Sequence, residues 1–163
     1  MNTLVLGIGN LIMCDDGVGV RVVQRLAAEY SFPPEVELMD GGTLGLDLLP
    51  LLEGLKRLLI VDAMETGGPP GTIARLTGGQ IPRAFETRLS AHQMGLKDLL
   101  AVSCLLGNQL PEMVLLGVQP ECMELGMELS PPVAAAPDTL VGMVLRELEG
   151  WGVAVTSVAR VQA

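Results

Sequence analysis

Acidic and amide side chains recur beside glycine in this sequence. Asn10, Asp15 and Asp16 flank a glycine-rich stretch, Asp40 precedes Gly41-Gly42, Asp62 closes an apolar run, and Gln119 and Glu121 follow another. The chain has one histidine, His92, with Gln93 beside it. Carboxylates and an imidazole can move protons or bind a divalent cation, so these residues admit acid–base or metal chemistry wherever the fold gathers them. A nucleophilic option exists too, because Cys14 stands near a helix start that would stabilise a thiolate. Its neighbours Ile12 and Met13 are apolar, however, and no base is specified nearby. Each residue also has a plain use. Asp15 and Asp16 can cap a helix, Asp40 and Asp62 can form turns, His92 can be a satisfied polar group, and Gln119 and Glu121 can end a strand.

The elements that must position these side chains can be read from periodicity. Residues 3–8 read as the first strand, and its apolar run from Leu4 is of the kind a strand buried on both faces shows. Gly7 and Gly9 break it, and a helix entered at Asp16 carries Val22, Val23, Leu26, Ala27 and Tyr30 on one stripe, ending before Pro33-Pro34. Residues 35–40 read as a second strand, followed by Gly41-Gly42 and a short helix capped by Thr43 and broken or kinked by Pro50. Residues 58–63 read as a third strand and residues 72–76 as a short edge strand. Residues 77–92 form a long loop of the kind that tends to be functional. A helix from Gln93 places Leu96, Leu99, Leu100 and Ser103 together. Residues 113–118 are a buried strand, and a last helix from about Ser130, which Pro137 and Asp138 could split, carries Leu140, Val141, Val144, Leu145 and Leu148.

Alternating strands and helices imply a three-layer α/β/α domain with right-handed crossovers. Asn10, Asp16, Asp40, Asp62, Gln119 and Glu121 then all fall at carboxyl ends of strands, the rim where open α/β sheets bind ligands. The strand pattern does not place His92. Residues 1–163 read as one domain, with 153–163 a loosely attached tail.

Composition narrows the partners. The formal charge is −9, from 19 acidic and 10 basic residues, which opposes nucleic acid and anionic membranes and favours a basic peptide or a cation. No apolar run approaches the roughly 20 residues that span a bilayer, so no membrane insertion is expected. The first residues read as a strand rather than a signal segment, and three cysteines, an odd number without metal spacing, suit a reducing compartment. A cytoplasmic protein is expected. Nine methionines read as adaptable core filler, and Cys104 and Cys122 as small buried residues.

Taken in order, Gly7-Ile-Gly-Asn10, Asp15-Asp-Gly-Val-Gly19, Asp40-Gly-Gly-Thr43, Asp62-Ala63, Ser90-Ala-His-Gln93 and Gly117-Val-Gln-Pro-Glu121 resemble the successive motifs of the [NiFe]-hydrogenase maturation endopeptidases. The resemblance runs from Met1 to about Leu148. It implies a phosphorylase/hydrolase-like fold, a mostly parallel five-stranded sheet of order 2-1-3-5-4 with the fourth strand antiparallel. It also implies an activity, removal of the C-terminal extension of the hydrogenase large-subunit precursor after nickel insertion. Carried over residue by residue, the metal-binding and catalytic set is Asp16, Asp62 and His92, with Asp16 standing where some relatives have Glu. Asn10, Asp40, Gly41, Gly42, Gln93, Gln119 and Glu121 would line the substrate cleft, the two glycines letting a peptide backbone approach closely.

Two carboxylates and one imidazole can hold nickel or zinc in three positions, and a single histidine cannot build the two-histidine site of zinc metalloproteases. The expected metal is therefore Ni(2+) presented by the substrate, with no tightly bound resident ion. Two versions of hydrolysis stay open, a metal-assisted one and one in which Asp16 and Asp62 serve as acid and base. Two other classes compete. Gly7-x-Gly9 opens a dinucleotide fingerprint, but its third position is Ile12, Asp40 lies beyond the roughly 20-residue spacing, and Asp15 and Asp16 would repel a pyrophosphate. A nickel-binding chaperone would use the same rim without cutting.

Overall fold

Runs of Val, Leu and Ile uninterrupted by polar residues make stable strands only when both faces of the sheet are covered. Three such runs build the centre of this protein. The computed structural model describes residues 2–42, 48–78, 80–81, 100–109 and 111–158. Strand β1 spans Thr3–Ile8, a 3-10 turn follows at Cys14–Gly17, and helix α1 spans Val18–Glu29. Next come β2 (Tyr30–Ser31), β3 (Val36–Gly42), α2 (Leu49–Leu52), β4 (Arg57–Ala63), β5 (Ile73–Thr77) and β6 (Glu112–Val118). Helix α3 (Ala136–Gly150) and β7 (Thr156–Ser157) follow them. Residues 100–105 are also helical.

The main sheet runs β3-β1-β4-β6-β5, parallel throughout except that β5 pairs antiparallel with β6. With the two-residue β2 set aside, this is the 2-1-3-5-4 order that the family resemblance implies, antiparallel edge strand included. Side chains alternate across the sheet and separate two cores. Val5, Leu59, Val61, Val114 and Leu116 face α1 and α3, while Leu4, Leu6, Leu58, Ile60 and Leu115 face α2, Ile81 and Leu100.

Several local expectations give way to packing. Pro50 sits in the first turn of α2, where its missing N–H has no partner to lose, while the helix start read over Leu44 lies outside the described residues. Pro137 likewise lies in the first turn of α3, so residues 131–135 are a turn and the helix is not split. The first helix gives way to β2 before Pro33 is reached. Cys104 is exposed and Cys122 half-buried. Ser103 takes the buried stripe three residues after Leu100, which turns Cys104 toward solvent. Within the segment read as a loose tail, Thr156 and Ser157 pair with Ser31 and Tyr30, and Val158 N–H donates to the Glu29 carbonyl at 2.9 Å. The cap read at Thr43, most of the long loop and the start of the helix at Gln93 lie outside the described residues.

Candidate functional site

The turn after β1 depends on glycine. Gly9 has φ +133, and a methyl there would overlap the carbonyl oxygen of Asp16. The chain folds back at this point: the Asn10 side-chain oxygen accepts from Ile12 N–H, and Asp16 Oδ2 accepts from Asn10 N–H, both at 3.1 Å. Gly7 and Gly19 bring α1 onto the sheet, since a Cβ on either would overlap backbone of the opposing segment. The 3-10 turn bearing Asp16 therefore packs against β4.

Strand β4 carries Asp62, which is fully buried. Its Oδ1 accepts from Ala63 N–H at 2.8 Å, and the residue lies level with Gly117 of β6. Asp40 lies level with Gly7 at the carboxyl end of β3 and is exposed, with Gly41 buried beside it and Gly42 level with Ile8. The ends of β3, β1, β4 and β6 thus align, and Asp16, Asp40 and Asp62 share their rim.

Sequence reasoning misread Asp15. Neither it nor Asp16 caps α1, whose N-cap is Gly17 and which has no side-chain cap. Asp15 is fully buried, and its carboxylate reaches across to the loop after β6. It accepts the N–H groups of Glu121 (2.8 Å), Cys122 (2.9 Å) and Ser130 (2.8 Å), and the Ser130 hydroxyl (2.7 Å). Burial alone would raise its pKa, but these donors outweigh it and hold the carboxyl below its ordinary value. No local signal could reveal this, because the partners are 106 to 115 residues away in sequence.

Cys14, at φ 50, is placed by the same lacing, its N–H donating to the Gly126 carbonyl at 2.9 Å. Its thiol hydrogen-bonds with Cys122, and this contact, then burial, then the charges of Asp15 and Glu124 push it up to about 11. It is protonated at neutral pH, the opposite of an activated nucleophile. Gln119 is buried and ties two rim loops together. Its Oε1 accepts from Thr66 N–H at 2.6 Å and its Nε2 donates to Glu65 at 3.0 Å. Glu121 is exposed and gives its backbone N–H to Asp15.

Of the residues singled out from sequence, the structure gathers Asn10, Asp16, Asp40, Gly41, Gly42, Asp62, Gln119 and Glu121 along one rim. His92 and Gln93 lie outside the described residues. Among the described residues no three His, Cys, Asp or Glu side chains form a metal-holding group. The dinucleotide alternative loses its footing, since Gly7 and Gly9 serve backbone packing and a buried carboxylate stands at the helix entrance.

Comparison with known proteins is decisive about the family. A hydrogenase maturation protease family model, HycI, matches residues 20–147. The chain belongs to the hydrogenase maturation protease family. It is 37% identical over 154 residues to the hydrogenase 2 maturation protease of Escherichia coli (strain K12), covering 94% of each chain. It is 41% identical over 160 residues to hydrogenase expression/formation protein HupD of Rhodobacter capsulatus, covering 97% of this chain and 76% of that one. Its fold superposes on the hydrogenase maturating endopeptidase HybD from E. coli with a TM-score of 0.91 at 36% identity, covering 96% of this chain and 98% of that one. As a hydrogenase maturation protease it is a peptidase, and the α/β sheet described above is the family fold.

Proposed function

We propose that this peptidase removes the C-terminal extension of a [NiFe]-hydrogenase large-subunit precursor once nickel is in place, and that it senses the substrate's nickel through Asp16, Asp62 and His92. The observation that carries this reading is the presence of two buried carboxylates at one sheet rim, with the 3-10 turn bearing Asp16 packed on the strand that holds Asp62. Carboxylate oxygens together with an imidazole nitrogen suit a borderline divalent ion such as nickel. Both acids are set by the backbone, Asp16 through Asn10 N–H and Asp62 through Ala63 N–H, so their placement does not wait on the substrate. Nickel enters as cargo on the precursor. A precursor presenting it is anchored with its scissile peptide over the rim, where Asp16 and Asp62 can relay protons; one lacking it does not seat that peptide there, so cleavage reports completed insertion.

Among the described residues no helix is long and apolar enough to cross a membrane. The three free cysteines favour a reducing compartment, and we place the protein in the cytoplasm.

The test is incubation of purified protein with nickel-loaded and nickel-free precursor, scored by the mass of the released extension. Only loaded precursor should be cut. Asp16→Asn, Asp62→Asn and His92→Ala should each abolish cutting with unchanged circular dichroism. Equal cutting of nickel-free precursor, or wild-type rates in these variants, would overturn the reading. In equilibrium dialysis, nickel retained stoichiometrically through a chelator wash would contradict a site that only borrows the substrate's metal.

A further inference from the structure

Of the seven large hydrophobic side chains exposed among the described residues, four, Ile12, Met123, Leu125 and Met127, fall on two segments joined by backbone hydrogen bonds. Three belong to the segment 121–129 that follows β6. Ile12 joins them because Gly126 N–H donates to its carbonyl, and Cys14 N–H to that of Gly126, both at 2.9 Å. This strap is pinned from beneath by the Asp15 carboxylate and by Arg21, which donates to the Met127 carbonyl. Leu125 at 78% and Met127 at 63% exposure therefore project from a fixed backbone. Apolar side chains exposed to water on neighbouring, pinned backbone mark a place where another molecule sits, and methionines adapt to its shape.

Charge narrows the occupant. Glu121, Glu124 and Glu128 are exposed along the strap, and the sequence has no Lys or Arg from residue 98 to residue 145. A partner segment both apolar and basic would satisfy both features, whereas a second copy of this strap would bring like charge against like. Position narrows it further. The strap leaves the sheet at Gln119 and is tied to the residue next to Asp16, so whatever docks on it lies beside the rim carboxylates.

We propose that the strap 121–129, with Ile12, is the surface on which the precursor protein docks, through an apolar and basic segment of its own. This rests on the precursor being the substrate of the rim.

The experiment pairs Leu125→Glu/Met127→Glu with Glu124→Lys/Glu128→Lys and measures precursor binding by calorimetry alongside processing kinetics. Both double variants should raise Kd and KM by roughly tenfold or more while kcat at saturation stays within about twofold. Leu105→Glu/Leu106→Glu, on exposed residues elsewhere, should behave as wild type. Wild-type Kd and KM in both strap variants would overturn the proposal. So would a fall in kcat with Kd unchanged, or a wild-type dimer in sedimentation that Leu125→Glu/Met127→Glu dissociates. If wild-type protein neither binds nor cuts loaded precursor, the substrate reading itself falls and the docking surface falls with it. Cutting by wild type together with indifference of the strap variants removes the docking surface alone.

Discussion

Asp15 and Asp16 are adjacent and chemically identical, yet the fold uses them differently. Asp16 turns back onto Asn10 at the rim, while Asp15 becomes the buried acceptor that holds the strap. Asp15→Asn replaces one acceptor oxygen with an amide that faces N–H donors, and should cost roughly 2–4 kcal/mol in denaturant melts. The pH dependence follows from the lowered carboxyl. Stability from a depressed acid is fully present above its unfolded value of about 4 and is lost as pH falls through the lower folded one. Wild type should therefore lose more stability than Asp15→Asn between about pH 5 and pH 2; parallel curves would show that Asp15 is not the linked group. Cys14, held protonated, should react with iodoacetamide at neutral pH more slowly than exposed Cys104, as peptide mass mapping would read. Preferential labelling of Cys14 would reopen the thiol mechanism.

Helix α1 lies close enough to the sheet for the Asp16 turn to touch β4 only because glycine stands at both contacts. A Cβ at Gly19 would overlap the carbonyl of Val61, backbone that cannot swing aside. Gly19→Ala should destabilise by roughly 1–3 kcal/mol and lower Tm by several degrees. Gly142 in α3 offers the contrast, with nothing beyond its own stretch of helix within 4 Å of the place its added methyl group would take. Gly142→Ala should raise stability by roughly 0.5–1 kcal/mol, because a helix interior favours alanine. If both variants shifted Tm the same way, close backbone approach would not explain Gly19.

At the scale of the whole molecule, the charge of −9 and the acidic strap act together. Association with a basic segment should be steered by this field, so raising salt from about 0.05 to about 0.5 M should slow precursor binding by roughly tenfold. Stopped-flow mixing would measure it, and a rate indifferent to salt would remove the electrostatic part of the docking surface.

The sheet was legible in the chain itself. Strands β1, β4 and β6 are continuous apolar runs, and burial on both faces of a parallel sheet demands that pattern. The glycine and aspartate positions at the strand ends were equally readable, since turns and close backbone approach restrict which residues can stand there. The work of Asp15, Gln119 and the strap was not. Asp15 meets Ser130, and Gln119 meets Thr66, only after the chain has crossed the sheet, so nothing within reach of either in sequence announces the contact. Local propensity chose the elements, and tertiary packing decided which of two neighbouring aspartates faces the rim and which is buried to hold it in shape.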